Sequence, residues 1–125
     1  MSEPDYLHEA AEDLRPETRD GHRGIRSLME ELEAIDWYSQ RVDAAEDSEL
    51  KAVLAHNRDE EKEHAAMVLE WLRRQDAVFD GFLRRYLFTE VPIVGIEEAA
   101  TEGGPAPAAE AAPNSLGIGS LRITQ

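Results

Sequence analysis

The sequence contains no cysteine. Disulfide staples and thiolate metal sites are therefore excluded, and the chain suits a reducing cytosol. No apolar run approaches the ~20 residues that a membrane-crossing helix needs. The opening MSEPDYLHEA holds neither a basic stretch nor the apolar stretch of a secretory leader, so a cytoplasmic protein is expected. Basic residues are scarce: 13 Lys and Arg stand against 27 Asp and Glu, for a net charge of −14. Nucleic acid and anionic membrane carry that same sign, so neither is an expected partner, whereas cations are. Bulky residues are scarce in the last quarter, which leaves roughly the first 90 residues to fold. A domain that small is near the lower limit for a self-sufficient core, and oligomerisation relieves the shortage.

The spacing of the apolar residues predicts an all-α fold. Residues 1–15 are polar and read as a flexible N-terminus. Pro16 suits the first position of a helix, with Glu17 in its first turn. Ile25, Leu28, Met29, Leu32, Ile35 and Val42 then recur at helical steps to about Ala45. Gly21 and Gly24 each cost roughly 1 kcal/mol relative to Ala. The pattern breaks at DAAEDSEL (43–50), where Asp47 or Ser48 can cap a second helix running to about Arg74. Two long helices with a short connection form an antiparallel hairpin. Asp76 can cap a short third helix carrying Val78, Phe79, Phe82, Leu83, Tyr86 and Leu87, and Pro92 ends it at the latest. The helical unit thus spans 16–96. Residues 97–115, EEAATEGGPAPAAEAAPNS, read as a disordered linker, and apolar residues return in 116–125.

The second helix carries the chemistry. On a wheel, Leu50, Val53, Leu54, Asn57, Val68 and Trp71 form one stripe, and Glu61 and His64 fall inside it. They are three apart and so share a face. An unpaired carboxylate on a core-facing seam needs a cation or a proton. Glu-x-x-His is the inward-facing motif of di-iron carboxylate bundles, and its donors suit Fe, Mn or Zn. On the first helix Glu31 lies at the shoulder of the apolar stripe, with Tyr38 two turns later on the same side. Glu30, Glu33 and Trp37 point elsewhere. His8, His22 and His56 read as solvent-facing, and Trp71 as a packing residue.

A di-iron bundle takes one Glu from each of two helices and one Glu-x-x-His from each of two others. This chain offers one of each, which is half a site. Two copies about a two-fold axis would bring Glu31, Glu61 and His64 twice, completing a ferritin-like four-helix bundle with the metal at the interface.

The stretches MEELEAIDWYSQR (29–41), HNRDEEKEHAAMVLEWLRR (56–74), RYLFTE (85–90) and LGIGSLR (116–122) resemble the encapsulated ferritins, ferritin-like cargo proteins of encapsulin nanocompartments. The resemblance implies a ferroxidase that turns Fe(II) into Fe(III) at a di-iron centre between subunits, for iron storage inside the shell. It implies a homodecamer, a ring of five dimers, and an iron site where Zn, Mn or Ca can substitute. The family's centre falls on Glu31, Glu61, His64 and Tyr38, and its metal-access residues on Glu30, Glu33 and Trp37. The tail falls on the family's shell-targeting peptide, here Leu116, Gly117, Ile118, Gly119, Ser120 and Leu121. Two other readings compete: a rubrerythrin-like scavenger of peroxide or oxygen, and a non-enzymatic structural metal-binding oligomer. The missing cysteine-ligated iron domain counts against the first.

Overall fold

The computed structural model describes residues 6–101, which divide at Gln75/Asp76 into two compact units. Among the described residues the regular structure is helical throughout, with no strand.

The first unit is a hairpin of α1 (Pro16–Ala44) and α2 (Ser48–Gln75). Pro16 sits in the first turn of α1 with Glu17 beside it, as the sequence predicts. Asp47 supplies the cap for α2: its Oδ2 accepts from the Leu50 N–H at 2.8 Å. The connection is residues 45–47 alone, which forces the helices to run antiparallel. Lys51 Nζ donates to the Val42 carbonyl at 2.7 Å and ties the turn shut. At the far end of the hairpin, a Cβ on Gly24 would stand 3.1 Å from Leu72 Cδ2 and from the Trp71 ring. Gly24 thus weakens its own helix but lets the two helices approach closely. Near the C-terminus of α2, Arg73 and Arg74 both bond Glu70, at 2.8 and 2.7 Å. They hold its carboxyl well down, to about 2.

The hairpin buries little. Ala65 and Leu72 are its buried residues, and α1 has none. Ile25, Met29, Leu32, Leu50, Val53, Met67 and Trp71 all remain exposed. An apolar stripe spans well over 100° of a helix, and one neighbour covers only part of it.

The second unit holds α3 (Ala77–Tyr86) and α4 (Ile93–Thr101). Asp76 caps α3 as expected, accepting from the Phe79 N–H at 3.0 Å. Phe88 follows with φ 62° and is fully exposed. The expected linker from 97 is corrected here, because 97–101 complete α4 and Ile96 is buried. Its Ala and Glu residues are good helix formers once Pro92 and the apolar Ile93, Val94 and Ile96 start the turn. The rest of the expected linker lies outside the described residues, as do Leu116, Gly117, Ile118, Gly119, Ser120 and Leu121.

Candidate metal centre

The antiparallel hairpin sets the middle of α1 against the middle of α2, so Glu31 faces the turn that carries Glu61 and His64. His64 Nδ1 lies 3.5 Å from Glu61 Oε1 and 3.9 Å from Glu31 Oε1. Among the described residues this is the group of three or more His, Asp and Glu side chains that could hold a metal ion. Bonds of about 2.0–2.2 Å from carboxylate oxygen or imidazole nitrogen place two donors on one ion no more than about 4.4 Å apart. Both separations from His64 fall within that span and are too long for good direct hydrogen bonds. The donor set therefore fits a cation.

The electrostatics point the same way. The Glu31 carboxyl is raised above its ordinary value of 4.5. The largest cause is a hydrogen bond with the Glu61 carboxyl, which needs a proton between two acids. Desolvation and the like charge of Glu61 push in the same direction, and His64 opposes them. Among the described residues His64 is the one basic side chain within 4 Å of either acid. A metal ion would replace the shared proton and satisfy both acids at once. The Glu31 and Glu61 side chains are each 25% exposed and His64 is 48% exposed. The cluster thus opens onto the uncovered face of the hairpin.

The other expected site residues are placed differently. Tyr38 is half-buried but is not one of the three converging donors. It stands seven residues along α1 from Glu31, a rise of about 10 Å. The Arg41 guanidinium covers its ring at 5.1 Å. Glu30, Glu33 and Trp37 are exposed on α1. Glu30 has a partner that sequence reasoning missed: Arg26 Nη2 lies 3.8 Å from its Oε2. The four-residue spacing was the available signal. His56 is exposed as expected, and it pairs with Glu60 at 3.2 Å. His22 is a correction to the solvent-facing reading, because it is half-buried and its Nε2 is buried without a partner.

Comparison with known proteins adds an independent line. The family model described as EncFtn-like matches residues 6–90. An "Encapsulated ferritin-like protein" of Rhodospirillum rubrum is 62% identical over 92% of this chain and 86% of its own. A "Ferritin-like protein" of Thermotoga maritima is 49% identical over 94% of this chain and 98% of its own. The "Encapsulin nanocompartment cargo protein EncC" of Myxococcus xanthus is 34% identical over 80% of this chain and 83% of its own. The crystal structure of protein ne0167 from Nitrosomonas europaea superposes with a TM-score of 0.68 at 64% identity, covering 70% of this chain and 97% of that one. The helical hairpin is that of a ferritin-like fold, and the chain belongs to the EncFtn-like family.

Proposed function

We propose that the protein is a ferroxidase that oxidises Fe(II) to Fe(III) at a di-iron centre completed by two copies of the chain, as cargo of an encapsulin shell. The observation that carries this reading is the half-complete donor set. One chain brings two carboxylates and one imidazole together. A two-metal carboxylate bundle uses four carboxylates and two imidazoles from four helices. Two copies facing one another supply that number, and four carboxylate charges balance two divalent ions. Further support comes from Met29, Leu32, Val53 and Met67, which stand exposed along the same two helices and would be covered by a second hairpin.

In this assembly Glu31 and Glu61 hold the two substrate ions and neutralise their charge, while each His64 fixes one of them. Glu30, Glu33 and Trp37 serve metal access, and Tyr38 tunes the centre from the adjoining turns. Each Fe(II) gives up one electron. Dioxygen accepts both electrons with two protons, which yields peroxide and two Fe(III). The shell stores the product. The likeness to the encapsulated protein of Rhodospirillum and the cargo protein of Myxococcus supports the cargo reading. The tail LGIGSLR would dock in the shell through Leu116, Ile118 and Leu121, with Gly117 and Gly119 letting the backbone lie close and Ser120 between them and Leu121. Five such dimers would form the ring.

The test is anaerobic loading with Fe(II), admission of air, and the growth of ferric absorbance. Loss of an outer-shell partner alone costs 10–100-fold at metal sites, so Glu31→Ala and His64→Ala should each slow oxidation by more than about tenfold. Either variant working at the wild-type rate would sink the assignment. Anomalous diffraction from an iron-soaked crystal reads which copies supply the ligands.

A further inference from the structure

From Tyr6 to Leu14 the chain makes contacts along α1. Arg19 Nη1 donates to the Ala11 carbonyl at 3.1 Å, and the Arg26 guanidinium carbon lies 3.9 Å from the centre of the Tyr6 ring. The partner falls from 11 to 6 as α1 rises from 19 to 26, so the segment runs back along the helix. Those seven helical residues span about 10 Å, which five extended residues cover easily. A 3-10 turn at Ala11–Asp13 supports the return, and Leu7 and Leu14 are half-buried. His22 lies between Arg19 and Arg26 on the same face of α1, and its Nε2 is closed off from water. Tyr6 holds φ at 61°, a strained value for a non-glycine that a backbone keeps only when its surroundings fix it.

Arg26 is the residue this arrangement immobilises. Its side chain is 26% exposed, against 72% for Arg23 one turn earlier. Between the Tyr6 ring and α1, the guanidinium is set 3.8 Å from the Glu30 carboxylate. An Arg four residues before a Glu is the poorer order for a helical ion pair, so the pair has little strength of its own. Stacking on Tyr6 removes the side-chain freedom that otherwise weakens an exposed pair.

We propose that the N-terminal segment from Tyr6 to Leu14 is a strap that stations Arg26 as the resident counter-ion of Glu30, so that a divalent cation arriving at Glu30 must displace it. The strap then regulates uptake at Glu30, which rests on the metal-access reading of that residue. A guanidinium held in place rejects weakly held cations and yields to one that Glu30 and a neighbour such as Glu33 can share.

The test titrates the full-length protein with Tb(III), whose emission is excited through tryptophan, with the Glu30→Gln variant marking the part of the signal that belongs to Glu30. Arg26→Gln and Tyr6→Ala should each tighten that binding by about threefold, the scale of an exposed ion pair. Tyr6→Phe should match wild type, because the ring and not the hydroxyl holds the guanidinium. Far-UV circular dichroism checks that each variant is folded, and Arg26→Gln removes the counter-ion while leaving the Arg19 bond to the Ala11 carbonyl in place. Unchanged affinity in Arg26→Gln or Tyr6→Ala, or a Tyr6→Phe variant that behaves like Tyr6→Ala, would overturn the proposal. A Tb(III) signal untouched by Glu30→Gln would overturn it too. If Glu30→Gln removes the signal yet iron oxidation proceeds at the wild-type rate, the access reading fails while the strap stands.

Discussion

At the scale of single residues, the balance between Glu31 and Glu61 sets how the centre answers to pH. The Glu31 carboxyl is raised above 4.5 in the folded chain, chiefly by its hydrogen bond with Glu61. The folded state therefore holds a proton that the unfolded state gives up. Its stabilising contribution is whole below the unfolded value and is lost as pH rises through the raised folded value. Metal-free protein should accordingly lose stability relative to Glu31→Gln as pH climbs from about 4 through that window. Denaturant titrations of both proteins across that range check it, and parallel profiles would contradict it. With a divalent ion the sign reverses, because the ion displaces the proton and binding strengthens over the same window. The pair at the origin of this behaviour was legible beforehand. Glu61 and His64 break an apolar stripe at helical spacing, and Glu31 sits at the edge of the facing one. The wheel sets Tyr38 two turns beyond Glu31 on the same side, and Tyr38 stands half-buried there. His22 shows where such reading stops: its Nε2 is buried without a partner although its place on α1 reads as solvent-facing.

At the scale of elements, the termini decide the hairpin's geometry more than its interior does. Asp47 occupies one of the two capping positions that the sequence left open, and its Oδ2 takes the Leu50 N–H. The same turn carries the Lys51 bond to the Val42 carbonyl, so the cap and the tie are four residues apart. Asp47→Ala should cost about 1 kcal/mol of stability and Asp47→Asn nearly nothing, since either side-chain oxygen can accept that bond. Urea denaturation followed by circular dichroism measures both. Equal losses in the two variants would mean that charge near the helix N-terminus, not the hydrogen bond, is what matters. Caps were readable because they depend on three or four consecutive residues. The end of the helical region was harder. Pro92 was read as a stop for α3, and it also stands immediately before the first residue of α4. Since α3 already ends at Tyr86, Pro92 serves as the residue before a new helix, whose Ile96 is buried.

For the whole molecule, the decisive quantity is apolar surface left uncovered. The hairpin exposes Ile25, Met29, Leu32, Leu50, Val53 and Met67, each at about half or more of its surface, beside a donor set that is open on the same helices. Water is a poor neighbour for such a face, and burying a Val or Leu side chain fully gains about 1.5–3 kcal/mol. The proposed pairing of copies thus joins two shortages: each hairpin lacks a cover, and each donor set lacks its other half. A charge placed on this face away from the ligands separates association from coordination. Val53 lies eight residues before Glu61 on α2 and is 50% exposed. Val53→Arg should tolerate solvent in the single chain, so circular dichroism should remain helical. In the pair, two buried guanidinium groups would face apolar neighbours at a cost of several kcal/mol, enough to dissociate it. Light scattering behind size exclusion should then find monomers. Iron oxidation should fall more than about tenfold although Glu31, Glu61 and His64 are all intact, as for loss of a ligand partner. A monomeric Val53→Arg protein that still oxidises iron at the wild-type rate would show that one hairpin suffices, and the shared centre would have to be abandoned.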